Sequence, residues 1–384
     1  MTNFIETGLT HGKMRLDALT SLRFFAAAMI VFGHAHGLFG SLGLALNFSL
    51  AQGVSFFFVL SGFILTYNYP NVETGLFSFY KARFARLWPL HIVALLAVPT
   101  ITGMWNIAGL NPLGVAYVLV GNVLLIQSWI PFRDSYLTFN GVAWSISTEA
   151  FFYVVFPMAL IGLRRAWGLV LALVVLLTIL FLWLVVRYEI PMDVNTSTLN
   201  AMGMIYTNPI ARLSEFVLGM IACKVFMYVG KTDHSSITSW TVVEVAIVCL
   251  IALSMHLTPR LPLGVILPQQ WVPVVQYFLI GSGSAPVFAI AVVVFAFGRG
   301  LVSKVLAFPV LVFLGEASFA LYLFHATILF WFEQHLSLAQ SSFGVFLFWG
   351  SVLAMASAAH LWIEKPCRSF IMGRGHRRKA LVPA

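Results

Sequence analysis

Apolar residues run in blocks of about 17 to 25 from Leu19 to Trp362, the length that carries a helix across bilayer hydrocarbon, and short polar joints separate the blocks. The blocks are Leu19–Leu38, Phe48–Tyr67, Leu87–Met104, Leu113–Ile130, Gly141–Leu163, Trp167–Arg187, Ile210–Tyr228, Thr241–Leu257, Trp271–Phe297, Phe308–Phe332 and Phe343–Trp362, eleven in all. Basic residues mark the joints: Lys13 and Arg15, then Lys81, Arg83 and Arg86, then Arg164 and Arg165, then Arg299 and Lys304, and last a tail with Arg374, Arg377, Arg378 and Lys379. Basic loops stay cytoplasmic, so all five belong on one side and the number of crossings is even. Ten blocks therefore cross, and one between Leu87 and Ile130 is re-entrant or interfacial. Pro89, Pro99 and the Gly109–Pro112 stretch favour broken helix there, which a membrane tolerates only against protein or a water-filled cavity. The Leu87 block is expected to be the one that fails to cross, which keeps Asn106 on the cytoplasmic side and Asp134 on the other. The expected fold is all-α: a polytopic bundle of about ten transmembrane helices with one re-entrant or interfacial segment. Residues 1–14 form a cytoplasmic N-terminal tail, 15–368 the membrane domain and 369–384 a basic cytoplasmic C-terminal tail.

Composition agrees. Hydrophobic residues make up 60% of the 384 and charged residues 9%, against about a quarter charged in soluble domains. The net charge of +9 sits at segment ends and in the tail, a pattern for anionic lipid rather than nucleic acid. Cys223, Cys249 and Cys367 have neither metal-ligand nor disulfide spacing, and no metal site is expected. Arg23 interrupts the first apolar block, which argues against a cleavable signal.

Ionisable groups inside apolar segments are expensive and need partners, so chemistry is sought there. Arg23 and His34 are eleven positions apart on the first block, one helix face, with Cα atoms roughly 16 Å apart along the axis. Snorkelling explains Arg23, and interior hydrogen bonding explains His34, equally simply. Ser145, Glu149 and Tyr153 step by four and form one polar stripe. Its carboxylate suits a neighbouring histidine, whose ring it could orient, or a structural Arg or backbone partner. Ser318, Tyr322 and His325 share a side of the tenth block, as acceptor contacts or as interhelical glue. Arg83 and Arg86, three apart, suit a phosphate or pyrophosphate gripped by two guanidinium forks, with His91 a turn and a half further on. Positive-inside anchoring accounts for the same charges. Glycine-rich nucleotide loops, a GxSxG elbow and an HExxH helix are absent from the sequence.

Taken in order, Arg23-x10-His34, Phe56-Phe57-Phe58-Val59-Leu60-Ser61-Gly62-Phe63, Arg83-x2-Arg86, Trp144-Ser145-x3-Glu149-x2-Phe152-Tyr153 and Ser318-x3-Tyr322-x2-His325 resemble acyltransferase family 3. These are bacterial integral-membrane acyltransferases that modify surface glycans, lipids and some small molecules, and the likeness spans about Arg15 to Arg368. It implies about ten transmembrane helices in the bacterial inner membrane, acyl-CoA as donor substrate with no bound cofactor, and an acceptor hydroxyl on a glycan or lipid-linked sugar. By motif match Arg23, His34 and Glu149 become catalytic candidates, and Arg83 and Arg86 donor contacts. Ser145, Tyr153, Ser318, Tyr322 and His325 become acceptor or support residues. Many relatives carry a soluble domain after the last helix. Here about twenty residues follow Trp362, so such a partner is expected to be a separate periplasmic or glycan-assembly protein, or dispensable. The expected chemistry is attack of the acceptor hydroxyl on the thioester, with His34 as base, Glu149 orienting it and Arg23 or another donor at the oxyanion; an acyl-enzyme on Ser, Tyr or His34 is the alternative route. A proton-coupled secondary transporter or a flippase is the alternative, though a transporter predicts repeated halves that the sequence does not display.

Overall fold

The structure, a computed structural model, describes residues 15–39, 48–103, 110–193, 195, 198–229, 236–339 and 341–373. Among these residues the fold is helical, with a lone backbone bridge between Phe132 and Leu199 as its extended pairing. The principal helices are α1 (Asp17–Phe39), α2 (Gly53–Asn68), α3 (Leu76–Thr102), α4 (Pro112–Val123), α5 (Trp144–Arg187), α6 (Leu213–Val229), α7 (Ile237–Leu257), α8 (Val272–Ser282), α9 (Ala285–Phe297), α10 (Pro309–Glu333), α11 (Ser342–Ala359) and α12 (Lys365–Ile371).

Eight helical stretches among the described residues are long and apolar enough to cross a membrane. One of them, Gly141–Arg187, is two limbs, because Ala166 leaves helical φ/ψ and folds α5 back on itself. The 17-residue α6 supplies another, which gives the ten crossings of a polytopic integral membrane protein. Arg164 at the α5 hinge donates to Glu73 and Asn71 in the α2–α3 joint. Ser21 of α1 donates to the Leu306 carbonyl at 2.5 Å, so Arg15, Arg164, Arg165 and Lys304 share one end. At the opposite end the Ser49 amide donates to Met255.

The half-crossing lies where the sequence predicted, but in a different block. Pro89 and Pro99 do not break α3, which is helical for 27 residues, about 40 Å at 1.5 Å per residue. The Leu87 block therefore crosses. The 12-residue α4 is the segment that turns back, ending beside the middle of α3. Asn106 lies outside the described residues, but α3 carries the chain to Gly103 at the far end. A helix that ends inside the membrane leaves its last carbonyls unpaired. Here α3 supplies the donors: Trp88 Nε1 donates to the Val123 carbonyl at 3.2 Å and His91 Nε2 to the Asn122 carbonyl at 2.9 Å. Expected beside Arg83 and Arg86, His91 is instead a buried cap for α4.

Two crossings set the bundle. A Cβ on Gly219 of α6 would lie 1.8 Å from the Val59 carbonyl of α2, and one on Gly62 would lie 2.0 Å from the Phe216 carbonyl. A Cβ on Gly315 of α10 would lie 1.9 Å from the Thr20 carbonyl of α1. Lipid tails are as apolar as leucine, so helices in a membrane associate through such close backbone approach rather than through exclusion of water.

Gly219→Val is expected to prevent a monodisperse detergent-solubilised fold, because backbone oxygen cannot yield as a side chain can. Gly350→Ala, where nothing lies within 4 Å, is expected to leave thermal unfolding unchanged; gel filtration with a melting curve compares them. For topology, single cysteines at Gly103 and Asp134 are expected to label from the same membrane face, opposite to a cysteine at Glu73. Labelling of Gly103 together with Glu73 would show that α3 does not cross.

Candidate functional site

The expected site residues gather around two cavities. The first, about 190 Å³, lies toward the basic end. Three guanidinium groups open onto it: Arg23 from α1, and Arg83 and Arg86 from α3. The polar stripe of α5 faces the same space, as do Ser61 of α2 and Ser318 and Tyr322 of α10. Glu149 accepts from Tyr153 OH at 2.5 Å and from Ser61 Oγ at 3.4 Å. Ser145 donates to Tyr322 OH at 2.8 Å, and Tyr322 OH donates to the Val142 carbonyl at 2.8 Å. Ser318 bonds the Gly315 carbonyl within its own helix.

The arginines are held differently. Arg83 donates to Tyr69 OH at 3.1 Å, with its guanidinium 5.3 Å from the Tyr69 ring centre and 5.5 Å from that of Tyr153. Arg86 pairs with Glu364, whose other oxygen takes a 2.8 Å bond from His360 Nδ1. Glu316 lies 3.5 Å from His360 and 3.1 Å from Lys365. The sequence reading missed Glu364 because it ended the last span at Trp362, whereas the apolar helix continues to Ile371, and it passed over His360 although that residue falls inside the expected span. Both are ionisable groups inside a helical span, the kind of signal that singled out Arg23.

The second cavity, about 570 Å³, lies toward the far end. His34 and His36 of α1 border it, with Ser49, Trp144, Tyr206 and Arg260. Among the described residues, Val54 and Tyr322 are the two that border both cavities. Arg23 and His34, though on one face of α1, thus open onto different spaces, and Arg23 sits with the other arginines rather than beside His34. Glu149 does not orient His34 either. The imidazole partner is His325, whose Nε2 lies 2.9 Å from His34 Nδ1, with the rings 18° from parallel.

That contact fixes the protons. His325 Nδ1 lies 2.6 Å from the Tyr322 carbonyl, which can only accept, so this nitrogen carries hydrogen. With both rings neutral, His325 Nε2 is then an acceptor and receives the Nδ1–H of His34. The Nε2 lone pair of His34 is left on the ring edge beside the second cavity. An imidazole held this way suits proton abstraction, because its tautomer and orientation are already set.

Between the cavities lies a further buried pair that the sequence reading passed over although it fell inside a predicted span. Arg212 is 1% exposed and bonds Glu215 at 2.7 Å. Its guanidinium sits 5.3 Å from the Phe58 ring, 5.9 Å from Trp144 and 5.1 Å from Tyr206. Among the described residues no group of three or more His, Cys, Asp or Glu side chains is placed to hold a metal ion.

Arg212→Leu is expected to destabilise the fold by about 3–5 kcal/mol, the cost of leaving a buried partner charge alone. Arg212→Leu with Glu215→Leu should recover part of that loss. Denaturation of both variants checks this, and equal stability of single and double variants would count against a coupled pair.

A family model described as "Acyltransferase domain" matches residues 16–362. The chain is 31% identical over 238 residues to Acyltransferase MdmB of Streptomyces mycarofaciens, covering 54% of this chain and 57% of that protein. It is 28% identical over 202 residues to Nodulation protein 10 of Rhizobium leguminosarum bv. viciae, covering 46% of this chain and 53% of that protein. It is 23% identical to O-acetyltransferase OatA of Staphylococcus aureus across 96% of this chain and 59% of that protein. The matches thus span little more than half the length of these curated relatives. No solved structure matches. The match of the acyltransferase domain across residues 16–362, over a helical bundle carrying all five motifs, places this chain in acyltransferase family 3.

Proposed function

We propose that this chain is a membrane-embedded O-acyltransferase that moves an acyl group, acetyl in the simplest case, from acyl-CoA to a hydroxyl of a glycan, lipid-linked sugar or similar acceptor. The basic end faces the cytoplasm of a bacterial cell and the inner membrane holds the bundle. Arg23, Arg83 and Arg86 draw the phosphates of the donor toward the first cavity, where Glu149 is the lining carboxylate set against three guanidinium groups. The observation that carries the reading is the imidazole relay: a base nitrogen on His34, fixed by His325, beside a second cavity large enough for a sugar ring.

In this mechanism the acceptor hydroxyl lies against His34 Nε2, and its oxygen attacks the thioester carbonyl carbon. The carbon–oxygen bond forms and the carbon–sulfur bond breaks. His34 takes the hydroxyl proton, which passes to the departing thiolate, so coenzyme A leaves as the thiol. His325 keeps the His34 tautomer, while Ser145 lines the first cavity and holds Tyr322, which borders both. Trp144 and Tyr206 offer ring faces to the acceptor. The relative whose name reads O-acetyltransferase supports acetyl as the group moved and a hydroxyl as its destination.

His34→Ala is expected to lower acyl transfer by about a hundredfold or more, the usual contribution of a general base, with insertion and expression intact. The measurement is mass spectrometry of surface glycans and lipids from a deletion strain complemented by each variant. Turnover near wild type in well-folded His34→Ala protein would remove His34 as base. Arg83→Ala with Arg86→Ala is expected to raise the KM for acyl-CoA about tenfold, and Arg86→Lys should not restore it, since a lysine is a point charge without the planar fork. Unchanged donor KM in the double variant would return these residues to topology anchors.

A further inference from the structure

The donor groups and the base occupy different cavities, and among the described residues only Val54 and Tyr322 border both. We propose that Val54 and Tyr322 form a rigid constriction that sets the length of acyl chain the protein transfers, with Val54 as the size-determining residue, so that its donors are short acyl thioesters. This rests on the acyl-transfer reading and adds to it the class of donor.

On the acyl-transfer reading the thioester carbonyl has to reach this boundary. A donor held by Arg23, Arg83 and Arg86 approaches from the first cavity, and a hydroxyl on His34 approaches from the second. The two approach the boundary the cavities share, and the acyl chain beyond the carbonyl then lies against Val54 and Tyr322. Neither wall yields. Tyr322 is 5% exposed and its hydroxyl is held by Ser145 and the Val142 carbonyl at 2.8 Å each. Val54 is 4% exposed, and a β-branched side chain in a helix has one strongly preferred rotamer. The backbone beneath it cannot retreat, because Gly53 is pressed on α1: a Cβ there would lie 2.6 Å from the Ala26 carbonyl and 2.8 Å from Ile30. Against fixed side chains a short acyl group displaces least, and each added methylene must displace packed atoms.

The test uses the full chain in membrane vesicles from its source cells, supplied with radiolabelled acetyl-, propionyl- or butyryl-CoA, and reads label entering the glycan and lipid fractions. Wild type is expected to favour acetyl over butyryl by about tenfold or more, the discrimination a fixed pocket gives for extra methylenes. Val54→Ala should raise the butyryl-to-acetyl ratio about tenfold, and Val54→Leu should lower the propionyl-to-acetyl ratio. The two changes push in opposite directions, so either folded variant decides the matter, with gel filtration confirming the fold. Wild type that moves butyryl as fast as acetyl, or folded variants with wild-type ratios, would overturn the constriction while His34-dependent transfer persists. Absence of His34-dependent incorporation from every donor would instead overturn the acyl-transfer reading and the constriction with it.

Discussion

The arrangement of this protein depends on how closely α1 approaches α10. The two run parallel from the basic end, and Gly315 lets the Thr20 backbone come within a distance that any side chain would forbid. Ser21 locks the same end onto the Leu306 carbonyl. Fourteen residues beyond Thr20 and ten beyond Gly315, the pair brings His34 against His325, so a contact that sets one catalytic candidate is prepared by packing near the other face of the membrane. α2 is fastened to α1 at Gly53 and to α6 at Gly62 and Gly219. The walls of both cavities are therefore parts of one closely packed set of helices, with little room for a side chain change at any crossing.

The bilayer imposes a second discipline, since no water is at hand for a polar group left over. The solutions seen here are local and specific. Glu244, fully buried, accepts from the Gly300 amide and from both the amide and hydroxyl of Ser303, and so caps the short helix Leu301–Leu306. Gln52 donates to Thr258 and accepts from the Ser284 amide where α8 gives way to α9. His91 and Trp88 serve the end of α4 in the same manner. An ionisable residue in a span is thus an indicator of burial first, and only its surroundings separate a cap such as Glu244 from a cavity group such as Glu149.

These constraints explain which features were legible in the sequence. Crossings were, because hydropathy is set by the bilayer itself, and the even count came from where Arg164, Arg165, Arg299 and Lys304 sit. The five motifs were legible as stripes, because positions four apart share a helix face wherever the helix goes; Ser145, Glu149 and Tyr153 do line one cavity. Partnerships were not. His34 and His325 are 291 residues apart in sequence, and nothing local distinguishes that pairing from one with Glu149. The prolines of α3 misled for a related reason. A helix interrupted at Pro89 or Pro99 is expected in isolation, whereas neighbouring helices in a bundle hold α3 continuous. Glu364 escaped notice because charge near a span end reads as a boundary until Arg86 is seen to need it.

Two short π-helical turns govern how particular side chains reach the cavities. Met202–Tyr206 and His360–Glu364 each take wider turns than the α-helix, and such turns insert a residue and rotate the next side chains around the axis. The first ends on Tyr206, which is delivered to the second cavity and onto the Arg212 guanidinium. The second ends on Glu364, which is delivered to Arg86 at the first cavity, while His360 in the same turn holds the other carboxylate oxygen. In a regular helix the phase of these residues would be set by the lipid-facing and core-facing rows of the whole span. At His360–Glu364, which runs on from α11 into α12, a local change of pitch uncouples Glu364 from that pattern and turns it to Arg86 while the rest of the span keeps the packing the membrane requires; Met202–Tyr206 stands alone as a short turn ahead of α6.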